Sequence, residues 1–220
     1  QLRGTAARGV VEYDPDTTTV EARFAVAPGV EHAGRGKVGE VYTMGVSMKT
    51  NDAGKGGGSF GYWALCARCI NLTTITHGED VLNWRHNGGD AYADAIRHNL
   101  IQGLRRFDAV ADAYLEDFGV LHQAKVADVP VKLVRGKPVA RGVRYENTEE
   151  AIRALAPSKA AAAAALDTFA LGLEEDRGTW GSVVDAFSRA PQVPDAAPTW
   201  WREVEELSGL LVPVVAGYAR

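Results

Sequence analysis

The chain begins in β-rich runs of apolar residues and changes to a helical period after WRHNGGD. In VVEYDPDTTTVEARFAV, Val10 to Tyr13 and Thr19 to Val26 flank an Asp-Pro-Asp turn, which is a hairpin signal. A loop rich in Gly and charge runs from Pro28 to Gly39. Val41 to Lys49 and Phe60 to Thr76 then form a second pair of strand-like segments around TNDAGKGGGS. Asp90 behind two glycines predicts an N-cap, and Gly119 the residue just past the helix end, so about 28 residues between them are helical. Ile96, Leu100, Leu104, Phe107, Ala111, Tyr114 and Phe118 recur at steps of four and three and form one buried stripe. Arg97, Arg105 and Asp112 fall away from it.

Ala124 to Val143 reverts to short β-prone runs around a Gly-Lys-Pro turn. Asn147, with Glu150 three residues on, has the pattern of a capping box. Helices are predicted from Thr148 to Leu155, Ser158 to Leu173 and Trp180 to Ser188, the alanine run reflecting high helix propensity. APQVPDAAP reads as an extended loop, and Trp200 to Tyr218 as a last helix broken near Pro213. The expected fold class is α+β: an antiparallel β-sheet crossed by a long α-helix, followed by an α-helical C-terminal region. Residues 1–146 form the sheet and long-helix core, and 147–220 the helical region packed on it.

Composition narrows the function. With 220 residues the chain is long enough to bury a sizeable core, and it contains no run of about 18 apolar residues, so no membrane-spanning helix is expected. Its start, QLRGTAARG, lacks the order of a secretory signal and leaves open that the N-terminus is trimmed. Two cysteines three positions apart make no disulfide framework, so a cytoplasmic setting is the simplest. A formal charge of −4 argues against wholesale attraction to nucleic acid and leaves room for local patches. Lys125, Lys132, Arg135, Lys137, Arg141 and Arg144 lie within twenty positions whose only acid is Asp128; they are a patch or a solvated face.

Candidate chemistry is sparse. In GKGGGS, Lys55 precedes the glycines and a strand follows, the wrong order for a nucleotide cradle, so the stretch reads as a hairpin tip whose lysine could touch a phosphate backbone. Cys66 and Cys69 would need two further zinc ligands, for which His77, His86 and His98 are candidates. A continuing strand would put the two thiols on opposite faces, so both read as buried small hydrophobes. Asp14 and Asp16 suit a turn, and Glu79 and Asp80 beside His77 a polar loop. No Ser-His-Asp order or His-Glu-x-x-His occurs. No catalytic residue, metal or cofactor is expected.

A nucleic-acid groove needs cations for the backbone and aromatic groups for stacking. The candidates are Lys49, Lys55, Tyr62, Arg68, Arg85, His86, Arg97 and Arg105, with Trp63 and Arg106 beside them. Arg105 and Arg106 differ by about 100° around a helix and cannot share one face equally. His86 either contacts a phosphate or a flipped base at the helix N-terminus, or fixes the turn before it.

Taken together, CINL, WRHNGGD, the long helix and TWGSVVDAF resemble the phage/plasmid-like family catalogued as domain of unknown function 932. The matching positions are Cys69 and Asn71, then Arg85, His86 and Gly88, then Trp180, Gly181 and Ala186, over roughly Val41 to Tyr218. Asn87 stands where that family usually has Thr, Asp185 where it has Asn, and Cys66 where it has Arg. The hairpin, further strands and a helix reading AIRHNLIQGLRRF are similar to the single-strand annealing superfamily of RecT and Red-beta. That resemblance implies a sheet–helix groove for a nucleic-acid backbone and a homo-oligomeric ring or filament. The expected function is single-stranded DNA binding and annealing without chemistry of its own. A structural assembly protein and a metal-dependent nuclease are the alternatives.

Overall fold

The structure, a computed structural model, describes residues 9–14, 19–31, 41–51, 57–66, 71–75, 82–85, 90–170, 177–190 and 200–220. It has the expected α+β architecture. Strands β1 (Gly9–Asp14), β2 (Thr19–Glu31), β3 (Val41–Asn51), β4 (Gly57–Cys66) and β5 (Asn71–Ile75) follow one another in an antiparallel sheet, and β6 (Leu82–Arg85) pairs with β4 beside β5. Strand β2 continues beyond Pro28, against the expected loop. Its register to β3 shifts between Ala25 and Ala27 and between Ala27 and Val30, so Pro28, which has no N–H to donate, falls at an irregularity.

The single strand expected from Phe60 to Thr76 is two. The chain reverses after Cys66, which pairs with Asn71, so the two cysteines do not share the one continuing strand expected to set them on opposite faces. Cys69 lies outside the described residues.

Helix α1 (Asp90–Leu121) crosses the sheet. Register places Met44 opposite Ala64, Val46 opposite Tyr62 and Met48 opposite Phe60, and this face packs on Gly103 and Phe107 of α1. Gly119 does not end the helix. It has no positive φ, and Phe118 and Leu121 on either side are buried, so packing holds the last turn helical.

After α1 come a small hairpin, β7 (Lys132–Val134) and β8 (Lys137–Val139), and then α2 (Thr148–Leu155), α3 (Lys159–Ala170), α4 (Trp180–Arg189) and α5 (Trp201–Ala219). The expected N-cap forms, Glu150 N–H donating to Asn147 Oδ1 at 2.9 Å, while the returning Glu150 Oε2 accepts from the N–H of Glu146, one residue before the cap, at 2.7 Å. Ala161 and Ala165 of α3 are fully buried, and Thr168 Oγ1 donates to the Ala186 carbonyl of α4, so the alanine run supplies close helix packing. Helix α5 runs unbroken through Pro213 because Leu211, Val212, Val215 and Ala216 around it are buried. One hydrophobic cluster joins the sheet, α1 and α2 to α5. No helix among the described residues is long and apolar enough to cross a membrane.

Candidate nucleic-acid interface

Strand alternation and helix periodicity separate the cations expected to share a groove. Met48 packs against the core and Lys49, next to it, is on the sheet face away from α1. Arg97 and Arg105 are exposed on the solvent side of α1, about 12 Å apart along its axis, with Ile101 between them 40% exposed. Lys49 and the two arginines therefore lie on opposite sides of the sheet–helix layer. Arg85 is aligned with Gly57 at the end of β6. Lys55, Arg68 and His86 lie outside the described residues.

Tyr62 is not available for base stacking. It is 1% exposed, its hydroxyl donates to the Gly103 carbonyl at 2.9 Å, and its ring packs edge-on to Phe60 with 5.5 Å between centroids. Glycine at 103 lets sheet and helix approach so closely that Phe60 and Tyr62 fill the seam where a strand of nucleic acid was expected. Trp63 points the other way, opposite Gly45, and is also buried; its Nε1–H donates to the Val46 carbonyl at 3.0 Å. Both aromatics are structural, although strand alternation required only one to be.

The acid-free basic run is gathered around a small hairpin and is largely exposed. The turn between β7 and β8 is Arg135-Gly136, one residue before the Gly-Lys-Pro turn expected from sequence, with φ of 53° and 77°. Positive φ at both central residues is the geometry of a type I′ hairpin turn. Leu133 packs toward the core and Pro138 is buried, so alternation directs Lys132, Val134 and Lys137 outward. The following residues return beside the hairpin base: Val131 N–H donates to the Val143 carbonyl at 2.8 Å, and Tyr145 Oη donates to the Val131 carbonyl at 2.7 Å. Arg135, Lys137, Arg141 and Arg144 are exposed. Lys132 lies over Gly142, whose φ is 100° and where a Cβ would come 3.0 Å from Lys132 Cδ. Among the described residues none of these five cations makes an ion pair. Sequence displayed the run of charge; its gathering around one hairpin depended on the turn and the returning segment, which charge counting does not reveal.

The Trp-Gly segment is part of the core. Trp180 N–H donates to the Ala124 carbonyl at 2.8 Å and Val126 N–H to the Gly178 carbonyl at 3.0 Å, joining α4 to the end of α1. Thr179 Oγ1 caps α4 by accepting from Ser182 N–H, while Thr148 Oγ1 accepts from Gly178 N–H at 2.9 Å. Trp180, Gly181 and Ala186, the later positions of the resemblance, are all buried. Both His122 ring nitrogens and Trp180 Nε1 are buried without a hydrogen-bond partner among the described residues. Burial, and then the Glu150 carboxylate, push the Tyr145 phenol above its ordinary value.

Among the described residues no group of three or more His, Cys, Asp or Glu is placed to hold a metal ion. His77, Glu79 and Asp80 lie outside those residues. No protein-family model matches this chain, and neither the curated proteins nor the solved structures compared with it contain a match.

Proposed function

We propose that this chain binds single-stranded DNA and anneals complementary strands in a cytoplasmic phage or plasmid recombination system, acting as a homo-oligomer without chemistry of its own. The observation that carries the reading is charge segregation. Residues 129–145 hold five cations and no carboxylate, so against a formal net charge of −4 for the whole chain the remainder carries −9. A cationic surface on an acidic body reconciles attraction for phosphate with the net charge, because attraction is screened within about 10 Å while like charge elsewhere keeps the protein soluble. Sequence resemblance supplies the mobile-element setting.

Support for self-association comes from α1. Its exposed side carries Arg97 and Arg105 with Asp94 in the first half, and Asp108, Asp112 and Glu116 in the second, so the two halves differ in net sign. A second copy's α1 laid antiparallel would set unlike charges against each other.

The test is fluorescence anisotropy of a labelled single-stranded oligonucleotide at low and moderate salt, followed by annealing of complementary strands. Salt-sensitive binding and faster annealing are expected. Absence of binding by folded protein at low salt would sink the reading. Cleavage that requires Mg²⁺ or Mn²⁺ would replace it with the nuclease alternative, and oligomerisation without binding would replace it with the assembly alternative.

A further inference from the structure

We infer that the β7–β8 hairpin is the arm that contacts phosphate, with Arg135 placed at its tip for charge and not for folding. This rests on the nucleic-acid reading above and goes beyond it by naming the contact element and its mode. Arg135 is the only non-glycine residue with positive φ among the described residues. A two-residue I′ turn favours Asn-Gly, Asp-Gly or Gly-Gly, since a long side chain is strained in the left-handed region. Gly136 meets that preference and Arg135 does not. A local conflict of this kind at an exposed tip is the signature of a residue serving something other than stability.

The neighbouring cations extend the same surface. Lys137 is directly opposite Val134 across the hairpin, and Lys132 is two residues before Val134 on the same face. Lys132 is opposite Val139, so Lys137 is its diagonal neighbour on the same face, about 7–8 Å away, on the scale of successive phosphates in one strand. Gly142 acts as a positioning residue, because its missing side chain gives the Lys132 stem a surface on which to lie.

The mode follows from what accompanies the charges. The exposed apolar groups here are Val134 and Val143, at 37% and 43%, and neither offers a π-face to a base. Contact is then with the backbone, which positions nucleic acid without reading it. Membrane-surface binding would call for Trp, Phe or Leu beside the cations, and two valines supply little to insert.

The experiment compares the full chain with Arg135→Asn and with Lys132→Ala/Lys137→Ala by anisotropy over a salt series, using oligo-dT and a mixed-sequence oligonucleotide of equal length, alongside thermal unfolding. Arg135→Asn creates an Asn-Gly turn, so it is expected to unfold at the same or a higher temperature while binding more weakly. Each phosphate contact removed is expected to reduce the magnitude of the log K against log salt slope by about 0.7 for single strands, equally for both oligonucleotides. Wild-type binding with both variants unchanged in affinity and slope would overturn the arm and leave the general reading intact. Failure of the wild type to bind either oligonucleotide would overturn both. Wild-type binding to phosphatidylserine vesicles, lost in the variants, with no oligonucleotide binding, would reassign the arm to a membrane surface and overturn the proposal.

Discussion

The Tyr62 hydroxyl reaches across the sheet–helix seam to the carbonyl of Gly103, in the middle of α1. The same glycine faces Phe60, and a Cβ on it would fall 2.5 Å from Phe60 Cζ. Alanine at position 103 would gain about 1 kcal/mol of helix propensity and lose about 2–3 kcal/mol by overpacking a fully buried ring. Gly103→Ala is therefore expected to destabilise the protein by about 1–2 kcal/mol, read as a lower urea midpoint at unchanged m-value. A stabilised variant would mean that Phe60 can move away at no cost.

A second close approach joins α4 to the end of α1. A Cβ on Gly181 would lie 2.6 Å from His122 Nδ1, and His122 in turn packs edge-on against Phe118 with centroids 4.8 Å apart. Gly181→Ala should cost about 1–3 kcal/mol alone and much less in a His122→Ala background, where the imidazole is gone. Chemical denaturation of the four proteins of this double-mutant cycle measures the coupling. Additive losses would show that His122 is not what the glycine accommodates.

These two glycines also mark where sequence reading stops. The helix stripe, the α2 N-cap and the α+β class were legible because each depends on residues three or four apart, or on a short alternation. Gly119 does not end its helix and Pro213 does not break its own, because buried neighbours such as Leu121 and Val212 override local propensity. Tyr62 entered the candidate site because strand alternation says that successive residues face opposite ways; it does not say that both faces are covered. Arg135 passed as one charge in a basic run, since its importance lies in a backbone angle.

Pro213 gives a prediction of the opposite sign. Within α5 it cannot donate to the carbonyl of Gly209 and its ring crowds the preceding turn, a defect that costs an ordinary helix about 3 kcal/mol. Part of that is relieved where a helix bends, so Pro213→Ala is expected to stabilise the protein by about 1–2 kcal/mol. A higher midpoint of thermal unfolding would bear this out, whereas a loss would show that the buried packing of Leu211 and Val215 depends on a proline-induced bend.

Tyr145 links the stability of the hairpin module to pH. Its folded-state phenol titrates above the ordinary value, through burial first and the Glu150 carboxylate second, so the folded chain holds this proton more tightly than the unfolded chain. The contribution is intact below about pH 10, the unfolded value, and is lost as pH rises from there through the folded pKa. Tyr145→Phe also removes the donor to the Val131 carbonyl and should cost about 1 kcal/mol at neutral pH. The difference in stability between wild type and Tyr145→Phe should shrink as pH climbs above about 10. Glu150→Gln removes the second cause, so ultraviolet titration should place Tyr145 nearer its ordinary value. If that variant left the titration unmoved, burial alone would account for the shift; a stability difference unchanged up to the folded pKa would mean that ionisation of Tyr145 is not linked to unfolding.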